Sequence, residues 1–152
     1  MNEHRGRQTK DGIRIYDPSA SAGMHAAGKL AAQILDDIAE HVFVGQTTGA
    51  IDGVITQMIE DAGAKSATIG YKGYQHASCI SLNHVVCHGI PGDKKLKDGD
   101  ILNIDVTVIL DGWHGDSSRM YHVGEVKLRA RRLTVTTYEA MMLGIRLIKP
   151  GA

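Results

Sequence analysis

The pattern of apolar and polar positions is clearest between residues 101 and 122, where it predicts a β-hairpin. The stretch ILNIDVTVIL, residues 101–110, is rich in β-branched and apolar residues and contains neither glycine nor proline, which is typical of a strand. Asp111-Gly112 follows, and this pair favours a two-residue type I′ turn because both central residues of that turn need a positive φ. We therefore expect a second, antiparallel strand from Trp113 onward.

The two-residue turn also predicts the register of the hairpin. Leu110 would pair with Trp113, and counting back along both strands sets Thr107 opposite Asp116. Asp105 is then the diagonal neighbour of Asp116 on the same face, because side chains alternate along a strand with a period of two. We expect the opposite face to be wholly apolar and buried, and its residues are Leu102, Ile104, Val106 and Val108.

Three other stretches carry apolar residues at helical spacing. The first covers 17–41 and opens with Asp17-Pro18, a pair typical of a helix start. The second covers 47–63, with a threonine cap at its beginning and Gly63 as its stop signal. The third covers 131–148, and its apolar positions are Leu133, Tyr138, Met141, Met142, Ile145 and Leu147 or Ile148.

The remaining segments read as connections. Residues 1–12 are polar, and we expect them to form a mobile tail before a short extended segment at 13–16. Residues 67–88 have the composition of strands and turns, and residues 91–98 that of an exposed loop. We find no internal repeat and no low-complexity linker, so the pattern predicts a single domain.

Composition narrows the possible partners. A chain of 152 residues can bury a sizeable core. Its 17 basic and 17 acidic residues give no net charge, which argues against a nucleic-acid-binding surface. No apolar run reaches the length of a membrane span, and the N-terminus has no apolar signal core. We therefore expect a cytoplasmic protein with no membrane partner, in which Cys79 and Cys87 are free thiols.

Asp105 and Asp116 form the candidate chemical centre. Two carboxylates on neighbouring strands repel each other and are costly to desolvate, so a shared proton, a basic partner or a divalent cation should neutralise them. Arg119 is close in sequence, but alternation directs its side chain to the other face. The hairpin alone leaves an equal alternative, in which Asp105 caps a local backbone group and Asp116 lies in a solvated turn.

A structural zinc site is a weaker hypothesis. Its residue types cluster between positions 76 and 88, but no paired C-x-x-C spacing is present and a strand would distribute them over two faces. The residues concerned are His76, Cys79, His84, Cys87 and His88.

The motifs VVCHGIP, NIDVTV and HGDSSRM, in this order and spacing, resemble those of the type I methionine aminopeptidases. The resemblance extends from about Ile13 to Ala152 and includes the stretch GYKGYQHASC. It implies the α/β (α+β) pita-bread fold of the aminopeptidase/creatinase type, in which two related halves surround an antiparallel sheet and hold two divalent cations. It also implies the family's activity, which is removal of the initiator methionine from nascent proteins when the second residue is small.

The resemblance assigns expected roles to individual residues. Asp105 would ligate one metal, and Asp116 would bridge both. His88 would contact the substrate near the scissile amide and either hydrogen-bond it or help to protonate the leaving amine. Tyr71, Tyr74 and Cys79 would wall the methionine pocket, and Asn83 would lie near an auxiliary monovalent cation. Thr68 departs from family members that carry a cysteine in the pocket.

The resemblance covers only the N-terminal half of the family, so we expect a tail at 1–12 followed by half a catalytic domain at 13–152. The remaining ligands, one histidine and two glutamates, and a second substrate histidine would lie in the other half. The expected cofactors are two divalent cations (Co, Mn, Fe or Zn), with a monovalent cation beside them. The expected partner is the N-terminal methionine of nascent polypeptides near the ribosome.

Two further expectations concern this chain by itself. The intact enzyme would be a monomer, whereas the chain alone would self-associate through uncovered strand edges and apolar faces. The alternative to an enzyme is a non-catalytic pita-bread relative, or a truncated remnant, that acts as a binding module.

Overall fold

The computed structural model describes residues 6–152, and its central feature is a four-stranded antiparallel sheet. Two helices cover one face of this sheet, and a third helix follows the last strand. Short 3₁₀ turns at Ile38–His41 and Tyr71–Gly73 complete the regular structure of the described residues. In chain order the main elements are β1 (Gly6–Gln8), β2 (Arg14–Tyr16), α1 (Ala20–Asp37), α2 (Thr48–Asp61), β3 (Lys65–Ser66), β4 (Ser78–Leu82), β5 (Ile101–Leu110), β6 (Trp113–His122) and α3 (Leu128–Leu147).

The hairpin of β5 and β6 has the predicted register. Leu110 pairs with Trp113, and Thr107 pairs with Asp116. The turn residues Asp111 and Gly112 both have a positive φ, of 50° and 83°, as a type I′ turn requires. β5 is the central strand, with β6 along one edge and with β4 and the short β3 sharing the other.

The predicted apolar face of β5 is the floor of the core. Its four residues, Leu102, Ile104, Val106 and Val108, are completely buried. α1 and α2 each pack one aliphatic face on this floor, with Leu35 from α1 and Ile55 from α2 among the buried side chains. At Gly115 on β6 a Cβ would lie 2.1 Å from the carbonyl oxygen of Ala27, so only glycine permits this close approach of α1.

The N-terminal region differs from prediction in two respects. α1 begins at Ala20, and the Asp17 carboxylate accepts hydrogen bonds from the backbone N–H groups of Ser19 (2.9 Å) and Ala20 (3.3 Å). The predicted mobile tail is partly a strand, because residues 6–8 form β1 and pair with β2. The strand β2 confirms the predicted extended segment at 13–16. The part of the tail prediction that covers residues 1–5 lies outside the described residues.

The loop at 91–98 is less exposed than predicted, and the reason lies at the start of α2. The first N–H groups of a helix lack partners within it and need acceptors elsewhere. Thr48 N–H donates to the Lys94 carbonyl, and Gly49 N–H donates to the Gly92 carbonyl. The loop is therefore fastened to the helix, and Leu96 is buried beneath it. Thr47 caps α2 as predicted, since its Oγ1 accepts from Ala50 N–H at 3.1 Å.

α3 is the least covered of the three helices. It begins three residues before the predicted helix, and none of its residues is buried by the described part of the chain. Leu133 and Tyr138 of its predicted apolar face are 61% and 60% exposed. His122 Nε2 and Thr134 Oγ1, 2.9 Å apart, join β6 to this helix. Among residues 6–152, no helix is long and apolar enough to cross a membrane.

Candidate active site

The sheet face opposite the helices carries the polar residues of the hairpin. Asp105 is paired with Cys79 of β4 on one side and with Ser118 of β6 on the other. Asp116 lies one diagonal step away, opposite Thr107. Asp105 is half-buried and Asp116 is exposed, so the described residues leave this face open.

The two carboxylates interact electrostatically. Burial raises the pKa of Asp105, the negative charge of Asp116 raises it further, and His88 lowers it. The structure therefore brings these three predicted residues together. Arg119 does not neutralise the pair, because its guanidinium lies on the other face and contacts the Leu35 carbonyl and the Asp36 carboxylate of α1. No backbone N–H of residues 6–152 donates to either carboxylate, which removes support for the capping alternative.

His88 is positioned by a short backbone contact with β4. Ile80 N–H donates to the Gly89 carbonyl at 2.8 Å, and Gly89 N–H donates to the buried Ser81 hydroxyl at 3.1 Å. A Cβ at position 89 would lie 2.2 Å from the Ile80 carbonyl oxygen, so the contact requires glycine. His88 itself has a positive φ of 55° and an exposed side chain. Sequence reasoning missed Ser81 and Gly89, although a glycine directly after the histidine is a signal of close backbone approach.

The three predicted pocket residues fall into two groups. Tyr74 donates its hydroxyl to the Ser78 carbonyl at 2.8 Å, and the Cys79 thiol lies 3.6 Å from the same hydroxyl. Burial and the neighbouring Cys79 raise the pKa of Tyr74. Tyr71 stands apart in its 3₁₀ turn, 66% exposed. Thr68, which is half-buried, donates its hydroxyl hydrogen bond to the carbonyl of His76 at 2.7 Å.

Asn83 has a structural role in the described chain. It adopts a positive φ of 54°, and its Oδ1 accepts from Ile101 N–H at 3.1 Å. Its Nδ2 donates to Asp100 Oδ1 at 2.8 Å. These bonds fasten the start of β5, and the expected role beside a monovalent cation stays a prediction.

The residues on the open face match part of a divalent-metal site. Carboxylate oxygens are suitable ligands for Mn and other first-row divalent metals, and Asp105 and Asp116 present such oxygens from adjacent strands. Within residues 6–152, however, no group of three or more histidine, cysteine, aspartate or glutamate side chains is arranged to hold a metal ion. The pair therefore supplies some, but not all, of the ligands that a closed coordination sphere needs.

The fold and this pair of carboxylates agree with a family of metal-dependent peptidases. A sequence profile of metallopeptidase family M24 matches residues 22–152, and the chain belongs to that family. It is similar to the methionine aminopeptidase of Rickettsia prowazekii, with 52% identity over 140 residues, which are 92% of this chain and 54% of the relative. The methionine aminopeptidase of Escherichia coli strain K12 is 48% identical over 141 residues, which are 91% of this chain and 53% of the relative.

Solved structures agree with these sequences. The crystal structure of the Rickettsia prowazekii methionine aminopeptidase matches with a TM-score of 0.91 over 92% of this chain and 56% of that one. The Thermotoga maritima enzyme matches with a TM-score of 0.87 at 36% identity, over 91% of this chain and 56% of that one. The prolidase of Pyrococcus horikoshii OT3, 18% identical with a TM-score of 0.78 over 89% of this chain and 38% of that one, shares the fold alone. The predicted pita-bread fold is therefore confirmed, and the chain spans about half the length of the curated relatives it matches.

Proposed function

We propose that these residues form the N-terminal half of a methionine aminopeptidase that removes the initiator methionine from nascent proteins when the second residue is small. The observation that carries the proposal is that Asp105 and Asp116 share one open sheet face and that His88, in the loop after β4, lies within electrostatic range of Asp105. The sequence identity of 52% and 48% to two methionine aminopeptidases supports it.

Asp105 would be a ligand of one divalent cation and Asp116 would be a ligand shared by two, with Co, Mn, Fe and Zn as the candidate metals. Such cations, when bound, would activate a water and stabilise charge that develops on the peptide carbonyl. The protein's own contribution is to hold the two carboxylates on adjacent strands of a rigid sheet. The rest of the coordination sphere comes from the half of the protein that these residues do not include.

His88 acts on the substrate rather than on the metal. Its backbone, fixed beside β4 by Gly89, presents the imidazole next to Asp105. There it donates a hydrogen bond to the scissile amide or passes a proton to the leaving amine. Tyr71, Tyr74 and Cys79 wall the pocket for the methionine side chain, and Asn83 lies near a monovalent cation.

The setting follows from the substrate. Nascent polypeptides present their N-terminal methionine at the ribosome, so the enzyme works in the cytoplasm, close to ribosomes and without nucleic-acid or membrane specificity of its own. The intact enzyme is a monomer. The 152-residue chain alone self-associates, because residues 6–152 leave the outer edge of β6 and the apolar side chains of α3 uncovered.

The test is methionine release from a Met-Ala peptide, with and without a metal chelator, by the complete gene product that contains residues 1–152. We expect release that stops on chelation and returns with Mn²⁺ or Co²⁺. Release that persists in chelator would contradict the metal mechanism. The 152-residue chain assayed alone should release little or no methionine, because two carboxylates leave most coordination positions to water.

A second candidate function is a non-catalytic binding module. One observation favours it, namely that residues 6–152 supply only a partial ligand set. Calorimetric titration of the complete gene product with Mn²⁺ separates the two functions, since a binding module takes up no metal at this face and an aminopeptidase binds two ions.

A further inference from the structure

A buried carboxylate that the proposed chemistry does not use lies on α2. Asp52 is 6% exposed, although it is on the same helix as the exposed Asp61. Its Oδ1 accepts from the backbone N–H of Ser78 at 2.9 Å and from the Ser78 hydroxyl at 2.7 Å. Its Oδ2 lies 3.0 Å from Nδ1 of His76. Burying a carboxylate is costly unless its oxygens are hydrogen-bonded, and these three contacts meet that requirement.

Ser78 connects this carboxylate to the open face of the sheet. It is completely buried at the start of β4, and it pairs with Val106, so its side chain faces the helices. Its carbonyl oxygen accepts the hydroxyl hydrogen bond of Tyr74. The next residue, Cys79, faces the other way and is the direct cross-strand partner of Asp105. Asp52 is therefore connected to the open face of the sheet through Ser78 and the adjacent Cys79.

His76 closes the loop that precedes β4. Its Nδ1 lies 3.0 Å from Oδ2 of Asp52, and its carbonyl accepts the hydrogen bond of the Thr68 hydroxyl. Its ring also meets the Tyr74 ring edge-on, with 5.6 Å between centroids. The segment between Thr68 and His76, which carries both candidate pocket tyrosines, is thus tied at each end to the same small network.

We propose that Asp52 is a positioning residue of the candidate methionine pocket, which holds Tyr74 and Cys79 beside Asp105 by anchoring Ser78 and His76. The pocket assignment rests on the proposed function, whereas the anchoring of Tyr74 and Cys79 does not. Asp52 touches neither substrate nor metal in this scheme. Its effect on catalysis passes entirely through the shape of the pocket wall.

The anchoring is tested in the complete gene product labelled with 3-fluorotyrosine, in which the five tyrosines of residues 1–152 are assigned by single Tyr→Phe variants. In Asp52→Ala the fluorine resonance of Tyr74 should move toward that of the exposed Tyr138, while the resonance of Tyr121 stays in place. Labelling of Cys79 by a maleimide should quicken on the order of 10-fold relative to Cys87, because local opening exposes it. Asp61→Ala, on the solvated face of α2, is the matched control and should change neither signal.

Two milder variants separate positioning from general loss of structure. Asp52→Asn keeps an oxygen acceptor for Ser78 and should therefore show the wild-type Tyr74 resonance. A Tyr74 resonance shifted as far as in Asp52→Ala would contradict anchoring through these hydrogen bonds. Ser78→Ala keeps the backbone bond to Asp52 and loses the hydroxyl bond, so it should give a smaller shift in the same direction. If Asp52→Ala fails to fold, this smaller shift decides, and an unmoved Tyr74 resonance in Ser78→Ala overturns the proposal.

The consequence for substrate binding is tested in the complete gene product. Asp52→Ala should raise KM for a Met-Ala peptide on the order of 10-fold and change kcat less than about 3-fold, because the wall holds the methionine and not the reacting atoms. A fall in kcat with an unchanged KM would overturn the pocket role. If wild-type protein releases no methionine, the proposed function fails, and the fluorine and thiol measurements still decide whether Asp52 anchors the wall.

Discussion

The two faces of β5 have different roles, one in the core and one in the candidate site. One face consists of Leu102, Ile104, Val106 and Val108, which are fully buried under α1 and α2. The other face carries Asn103, Asp105 and Thr107, which are half-buried and point away from the helices. Because consecutive side chains of a strand point to opposite faces, a single ten-residue strand supplies both the floor of the core and the first carboxylate of the candidate site.

Stability and chemistry should respond to different substitutions in the same strand. The buried face contributes free energy of unfolding by removing apolar surface from water. The polar face lowers it, because Asp105 and Asp116 repel each other at close range. Substitutions on the polar face should therefore alter metal binding and turnover without loss of stability, and substitutions on the buried face should do the opposite.

The largest effects should come from the carboxylates. In the complete gene product, Asp116→Asn should reduce metal binding and turnover more than Asp105→Asn, because a bridging carboxylate neutralises two cations and a terminal one neutralises only one. Loss of an outer partner of a metal ligand typically costs about 10–100-fold in affinity, and loss of a direct ligand should cost more. Metal content and kcat of both variants are the measurements.

The stability of the same two variants should not fall. Denaturant unfolding of each metal-free chain should show a free energy equal to that of the wild type or higher by up to about 1 kcal/mol, since the repulsion is relieved. Equal losses of turnover with unchanged metal content would contradict the bridging role of Asp116.

His88→Ala should give the next largest effect. A group that transfers or holds a proton at the scissile amide contributes about 10²–10⁴-fold to the rate, so kcat should fall by that factor while both metals remain bound. The control is His25→Ala, which changes an exposed histidine of α1. A His88→Ala protein that loses metal would show that His88 is a ligand, against the assignment made above.

On the buried face, Ile104→Ala should lower the free energy of unfolding by about 2–5 kcal/mol, because it removes a fully buried side chain and leaves a cavity. Thr107→Ala, on the polar face of the same strand, is the matched control and should change it by less than about 1 kcal/mol. Urea unfolding followed by circular dichroism measures both. Similar losses in the two variants would mean that the polar face is also covered in solution.

The hairpin was predictable because its signals are local. Asp111-Gly112 determines the turn, the turn determines the register, and the register brings Asp105 and Asp116 to one face. The resemblance of the motif VVCHGIP to the family then gave His88 its expected role. Each of these steps involves residues close in sequence or a motif of fixed spacing.

The contacts that the sequence did not reveal join residues far apart along the chain. Asp52 and Ser78 are separated by 26 positions, and neither helical nor strand periodicity marks a buried aspartate as a hydrogen-bond acceptor. The loop at 91–98 is buried in part because it reaches the first turn of α2, more than forty positions earlier. For α3, periodicity predicted an apolar face correctly, but a pattern of residues does not say what covers that face.

Tyr121 is an exception to this division, because it places a polar group on the buried face of the sheet. It pairs with Leu102, is 8% exposed, and donates its hydroxyl hydrogen bond to the Leu35 carbonyl of α1. Burial raises the pKa of Tyr121 to about 12, against the opposing influence of Arg119. Tyr121→Phe should lower the free energy of unfolding by about 1 kcal/mol at pH 8, which is the typical net value of one hydrogen bond.

The pH dependence of this difference gives a sharper test with a defined sign. Below pH 10 the phenol is protonated in both folded and unfolded chains, so its full contribution is present. Between pH 10 and about 12 the unfolded chain releases the proton while the folded chain retains it, so the wild type loses up to about 2–3 kcal/mol of stability that the Phe variant does not lose. The two stability curves should therefore converge and cross as pH rises. Tyr138→Phe, at an exposed position of α3, should follow the wild-type curve throughout, and parallel curves for wild type and Tyr121→Phe would show that Tyr121 is solvated in the folded protein.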